Sequence, residues 1–295
     1  MLGAEPSPRR GDMQKPSITL FIPVSLTVET QNKLLRNYKV WQLARAMTIF
    51  KIQKVVLYND NEPLCKDQGR EGRFIKKVLR YLATPPYLRK KIFPLDQDLR
   101  LVGALPPLQP NYSPEEGEIP SGETYRYGLI MGTKGKRLMV DVGLKTPIEV
   151  EGNGKAGQVV LVLLTEREGI ISGSLVDKRF IGGYWGFDVS LPEKDLAASI
   201  RSEQLDVVIG TSRLGKSVHT LEKEMLNIGN TAEKVGIVFG GPYQGIHDIL
   251  SRVGLKSSEV IDYMINVVPG QGTKTIRVEE AVFATLTLLK YLWGG

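Results

Sequence analysis

The stretch "NVVPGQGTKTIRVEE" (Asn266–Glu280) sets two glycines, a lysine and a threonine between an apolar run and a helical pattern. A glycine-rich turn opening a helix is a common phosphate cradle, because free backbone N–H groups and the helix dipole converge there. The spacing here does not fit that use. A Walker loop needs four residues between its first glycine and a Gly-Lys-Ser/Thr triplet; Gly272 is followed by Thr273, which displaces Lys274. The dinucleotide fingerprint fails as well, since "GQGTKTI" lacks the third glycine.

Two other stretches share the form. "IGTSRLGKS" follows an apolar run at about 205–210, and "FGGPYQG" follows one at about 235–239. Ligands of open α/β sheets bind beyond the C-terminal ends of the strands. Each loop alone reads as a turn. Three glycine-lined loops within about 65 residues can instead wall a backbone pocket for a flat adenine ring.

Working outward, "SITLFIPV" (17–24) reads as a buried strand and "ETQNKLLRNYKVWQLARAMTIFKI" as a helix. Leu34, Leu35, Tyr38, Trp41, Leu43, Ala44, Met47 and Phe50 recur along it at helical spacing. "KVVLYND" is a second strand, and "GRFIKKVLRYLATPPYLRKKI" a second helix broken at Pro85 and Pro86. After Phe93 the chain becomes proline-rich, then gives four short strand candidates, "TYRYGLIMG", "KRLMVDVG", "TPIEVEG" and "GQVVLVLLTER", with a hairpin turn at "TKGK". That pattern predicts a small OB-like β-barrel over 95–180. The α/β alternation resumes at "GYWGFDVSL" and ends in a helix from about Thr275 to Trp293. The fold class is therefore α/β, with a discontinuous domain (16–94 and 181–295) interrupted by an all-β insert, after a loose tail at 1–15.

Composition narrows the chemistry. No apolar run approaches the length of a membrane span. Cys65 is the only cysteine and His219 and His247 the only histidines, which argues against zinc, a disulfide or a catalytic thiol and fits a cytoplasmic protein. The formal charge of +7 is unevenly spread: Arg70 to Phe93 holds eight basic residues against Glu71. A solvated helix face explains such a run, and so does a polyanion such as RNA. Candidate RNA contacts are Arg73, Lys76, Lys77 and Arg80, with Lys134, Lys136 and Arg137 on the insert.

Taken together, "LRNYKVWQLARAMTIFKIQKVVLYND", "LRYLATPPYLRKKIFP", "QDLRLVGALPPL", "GYWGFDV", "VVIGTSRLGKSV", "VFGGPYQGI" and "NVVPGQGTKTIRVEEAV" resemble the SPOUT superfamily of S-adenosylmethionine-dependent RNA methyltransferases. The likeness is to the branch whose domain carries an inserted OB-like barrel, and it covers nearly everything after the tail. The resemblance implies a trefoil knot, a homodimer and a bent S-adenosylmethionine held by main-chain groups, with S-adenosylhomocysteine as product. Its cofactor motifs map onto Thr211, Gly215, Gly240, Gly241, Gly245, Pro269, Gly270, Gln271, Gly272, Thr273 and Ile276. No metal and no membrane partner is implied.

Methyl transfer from a sulfonium asks mainly for alignment and for removal of a proton from the nucleophile. Arg45, Arg213 and Glu279 are the candidate catalytic residues, the arginines to hold RNA or stabilise the nucleophile and the glutamate to accept a proton. Arg277 and Glu280 can also simply pair on the helix, and glutamates in a first helical turn favour its dipole. The competing expectation is a non-catalytic RNA-binding or assembly protein that retains the fold.

Overall fold

A computed structural model describes residues 16–110, 122–135, 137–178, 181 and 183–294. The 1–15 tail and Lys136 lie outside the described residues. The chain forms two compact units. One holds the described residues up to Gln31 together with Ile52–Lys76 and the chain from Val189 onward; the other holds Asn32–Lys51 and Lys77–Asp188.

The first unit is built on a six-stranded sheet in the order β11-β9-β10-β1-β2-β8. Its strands are β1 (Ser17–Pro23), β2 (Lys54–Tyr58), β8 (Asp188–Ser190), β9 (Val207–Ser217), β10 (Lys234–Val238) and β11 (Tyr263–Asn266). β2, β1, β10, β9 and β11 run parallel. Every residue of β1 after Ser17 is buried, as expected of a parallel strand covered on both faces. Phe21, Val56, Tyr58, Val208 and Val238 pack there with Ile249 and Leu250 of helix α6 (Ile246–Arg252) and Leu196 of α4 (Leu196–Arg201). α4 is capped by Asp195, which accepts from Ala198 N at 2.8 Å.

Helix α7 (Val278–Leu292) closes the unit against α5 (Glu222–Thr231). Trp293 donates from Nε1 to the Met225 carbonyl at 2.7 Å. Its indole lies where a Cβ on Gly229 would come within 2.2 Å, so only glycine lets the ring seat there.

In the second unit, β3 (Glu123–Lys134), β4 (Arg137–Asp141), β5 (Ile148–Glu151), β7 (Ile170–Val176) and β6 (Val159–Arg167) close a barrel in that order. β5 and β7 pair in parallel and the other neighbours antiparallel. The fifth strand, β7, is absent from the sequence reading. "IISGSLV" is broken by Ser172, Gly173 and Ser174 and shows no alternation. The barrel requires the glycine, because a Cβ at 173 would meet Ile148 Cδ1 at 2.8 Å and Val162 Cγ1 at 3.0 Å.

Helix α1 (Lys33–Ile49) belongs to this unit. Its stripe differs from the expected one: Val40, Leu43, Ala44, Ala46 and Met47 are buried, whereas Leu34, Leu35 and Tyr38 are exposed. Trp41 donates to the Pro106 carbonyl at 2.7 Å, and Arg45 donates to the Leu108 carbonyl, strapping the helix to the proline-rich segment. α2 (Gln68–Ala83) and α3 (Pro86–Ile92) are separated at Pro85 and Pro86, as the prolines require.

Candidate functional site

The site begins with an irregularity in β9. Residue Gly210 pairs with Met264, and the next pair is Lys216 with Ile265. Thr211–Gly215 therefore bulge out of β9 between consecutive partners of β11. The sequence reading places "TSRLG" in a loop after the strand; the strand in fact resumes beyond it and runs to Ser217. Gly215 is where the chain returns to the ladder. A Cβ there would stand 2.7 Å from the Ile265 carbonyl carbon and 2.8 Å from the Met264 oxygen.

The bulge, the 239–245 loop after β10 and the 265–276 segment enclose one cavity of about 300 Å³. Thr211, Arg213, Gly240, Gly241, Gly245, Gln271 and Ile276 line it. Pro269, Gly270, Gly272, Thr273 and Gly215 are not among its lining residues. Gly270 has a φ of 71°, so it serves the turn, and no atom lies within 4 Å of a Cβ built on Gly272. Leu214, Tyr243, Asp248 and Asn266, which the sequence does not single out, also line the cavity, as does His247.

Hydrogen bonds fix these walls. Arg213 donates to the Lys274 carbonyl at 2.9 Å, and its own carbonyl accepts from Asn266 Nδ2 at 2.8 Å. Thr211 Oγ1 donates to the Val238 carbonyl at 3.1 Å. The 239–245 loop is clamped from behind by the end of β2. Tyr58 Oη donates to the Phe239 carbonyl at 2.6 Å, and Gln244 Nε2 donates to Glu62 Oε2 at 2.8 Å.

Between these two clamps sits Asp60, 1% exposed, accepting from Ser25 Oγ. A Cβ on Gly241 would lie 3.0 Å from Asp60 Oδ2 and 3.2 Å from Ser25 Oγ, so the glycine permits this close approach. Burial pushes the Asp60 carboxyl up to about 6; the Ser25 bond opposes the shift and the Glu62 charge adds to it. Burial, with Glu71 and Asp60 behind it, also pushes the Cys65 thiol up to about 11, which removes thiolate chemistry there. The sequence signal for Asp60 and Glu62 was available: "YNDNE" is the polar end of a parallel strand, where sites of open sheets gather.

The candidate catalytic residues separate. Arg213 is on the cavity wall. Glu279 is 2% exposed in the first turn of α7 and is not among the lining residues. Arg45 belongs to the other unit. Arg277 donates its backbone N–H to Glu280 Oε2 at 2.9 Å, a helix-start bond in place of an ion pair.

Much of the basic run is compensated by tertiary partners that no local count reveals. Lys77 reaches Asp96 at 2.6 Å and Asp98 at 2.8 Å, and Arg73 reaches Glu193 at 3.5 Å. Lys134 pairs with Glu149 at 2.9 Å, and Arg137 with Glu151 at 3.3 Å. Lys76 and Arg80 have no ion pair among the described residues. Among the described residues no group of three or more metal-ligating side chains occurs, and none of their helices is long and apolar enough to cross a membrane.

The geometry thus offers a backbone-lined cavity at the carboxyl ends of three parallel strands, and the comparisons with known proteins concern the same stretch of chain. The family model described as "Putative RNA methyltransferase" matches residues 17–289. An uncharacterized protein of Haloarcula marismortui is 31% identical over 92% of this chain and 98% of its own length. The 28S rRNA (uridine-N(3))-methyltransferase of Drosophila melanogaster is 29% identical over 95% of this chain and 63% of its own. Its namesake in Homo sapiens is 28% identical over 97% of this chain and 81% of its own. The match across both units, from the first strand of the sheet to the last helix, establishes that the chain belongs to this family of RNA methyltransferases.

Proposed function

We propose that this chain methylates N3 of a uridine in ribosomal RNA, with S-adenosylmethionine bound in the cavity between β9, β10 and β11. The observation that carries the reading is that one cavity is walled by all three glycine-bearing stretches. Its volume of about 300 Å³ is at the lower end of small-molecule sites. Gly240 and Gly241 line the cavity, their Cβ positions face Gln244 and Asp60 of the protein itself, and the bonds from Tyr58 and to Glu62 hold that loop in place. When bound, the cofactor would supply an electrophilic methyl carbon. The names of the Drosophila and human relatives support uridine N3 as the acceptor.

Arg213 is the catalytic candidate that this wall contains, placed to hold an RNA phosphate or the charge left on the uracil ring when N3 gives up its proton. Glu279 would act from behind Val278, which lines the cavity. The barrel-bearing unit is the proposed RNA-binding body, and Arg45 a candidate for RNA contact within it. A homodimer is supported by Leu214 and Tyr243, which line the cavity yet are 79% and 53% exposed, as apolar residues awaiting a second subunit would be. The interleaved strand order, with β11 beside β9 and β10 on its other side, is compatible with a trefoil knot. A cytoplasmic site of action completes the reading.

Mass spectrometry of nucleosides from purified ribosomal RNA, with and without the gene, tests it. The expected result is loss of a 3-methyluridine on deletion and its return with the wild-type gene. An unchanged nucleoside profile would refute the proposal.

A further inference from the structure

The second unit carries a separate open cavity of about 570 Å³, at the junction of α2, α3 and the chain that follows. Tyr81 and Phe93 stand in it edge to face, with ring centroids 5.4 Å apart at 68°. The Arg89 guanidinium lies over the Tyr81 ring at 4.9 Å, held by bonds from Nε to the Thr84 carbonyl at 2.8 Å and from Nη2 to the Leu82 carbonyl at 3.2 Å. The opposite wall is equally fixed. Lys77 is shared between Asp96 and Asp98, so Asp96, the one carboxylate that lines the cavity, is ion-paired.

What remains is a rigid aromatic floor with cations around it. Lys90 and Arg100 line the cavity, are exposed, and have no ion pair among the described residues. Leu95 is fully exposed at its edge. A purely apolar partner would leave those cations without a counter-charge. A purely anionic ligand would leave the aromatic rings and Leu95 unused. An unpaired nucleotide satisfies both demands: its base stacks on aromatic or guanidinium planes, and its phosphate meets the lysine and arginine.

We infer that this cavity binds an unpaired nucleotide of the RNA substrate, outside the methyl-donor cavity. The inference rests on RNA being the substrate; it does not depend on which atom is methylated. A base held here would fix the register of a single-stranded segment on the barrel-bearing unit.

The test uses the full chain, a fluorescent oligouridine strand, a blunt RNA duplex and heparin as probes, followed by anisotropy across a salt series. Lys90→Glu with Arg100→Glu changes only exposed positions, and Phe93→Leu removes the ring while keeping apolar volume. Both variants are expected to bind oligouridine about tenfold more weakly. In the charge-reversed variant the log–log salt slope should fall by about 1.4, on the scale of about 0.7 per phosphate contact to a single strand. Duplex binding should change less, Phe93→Leu should leave heparin binding unchanged, and calorimetric binding of the methyl donor should be unaffected. Wild-type affinity for oligouridine in both variants would overturn the inference. A loss confined to the charge-reversed variant and equal for heparin would overturn it too, by showing a general anion patch. Oligouridine binding that depends on the cavity, in a protein that makes no 3-methyluridine, would refute the proposed reaction and leave this inference standing.

Discussion

Glycines that look alike in the sequence do different jobs in the structure. Gly215 has backbone within 2.7 Å of a built Cβ, whereas Gly272 has open space. Gly215→Ala should therefore cost about 1–3 kcal/mol by overpacking, with β11 pushed off β9. Gly272→Ala should fall within about 0.5 kcal/mol of wild type in chemical denaturation. Asp60 gives a pH-dependent counterpart. Its carboxyl rises from the ordinary 3.8 to about 6, so the folded state holds this proton more tightly than the unfolded chain. The contribution of Asp60 to stability is thus undiminished below 3.8, falls as pH rises through that window, and carries its full burial penalty above about 6. At 1.36 kcal/mol per pKa step this amounts to about 3 kcal/mol. Asp60→Asn keeps an acceptor for Ser25 and should gain stability over wild type as pH goes from 4 to 7.5. A gain that does not vary with pH would mean that the carboxyl is not buried as described.

At the scale of elements, the parallel strands were legible because burial on both faces makes them continuous apolar runs; β1, β2 and β10 match the reading within a residue or two. β7 was illegible because a narrow barrel interior demands glycine where propensity asks for a branched residue. The bulge in β9 was also hidden, since its cause is a register fixed by a strand some fifty residues later. The stripe on α1 misled for a related reason: Trp41 and Arg45 bond the proline-rich segment, and that contact decides which face is buried. At the C-terminus, Gly229→Ala should force Trp293 from its seat, since the clash involves the ring itself. The expected loss is about 1–3 kcal/mol, with near-ultraviolet circular dichroism reporting the displaced indole. An unchanged spectrum and stability would show that the α5–α7 packing is looser than described.

For the molecule as a whole, the sequence conveyed the kind of protein better than the residues that act. The three glycine-bearing stretches and the barrel insert were visible as patterns. Which residues face the cavity was not, because lining depends on side-chain direction and on tertiary clamps such as Tyr58 to Phe239 and Glu62 to Gln244. Local charge counting likewise overstated the basic surface, because Asp96, Asp98 and Glu193 neutralise parts of it from outside the run. The central claim is that the cavity at the ends of β9, β10 and β11 holds the methyl donor. Calorimetric titration of S-adenosylmethionine into the wild-type chain and Gly245→Trp tests it most directly. Gly245 lines the cavity, and the only heavy atom near its built Cβ is Asp248 Oδ2 at 3.7 Å, so the fold should tolerate the change. The account predicts saturable binding by the wild type and none by the variant at equal helix content. Equal binding by both, or none by the wild type, would contradict it.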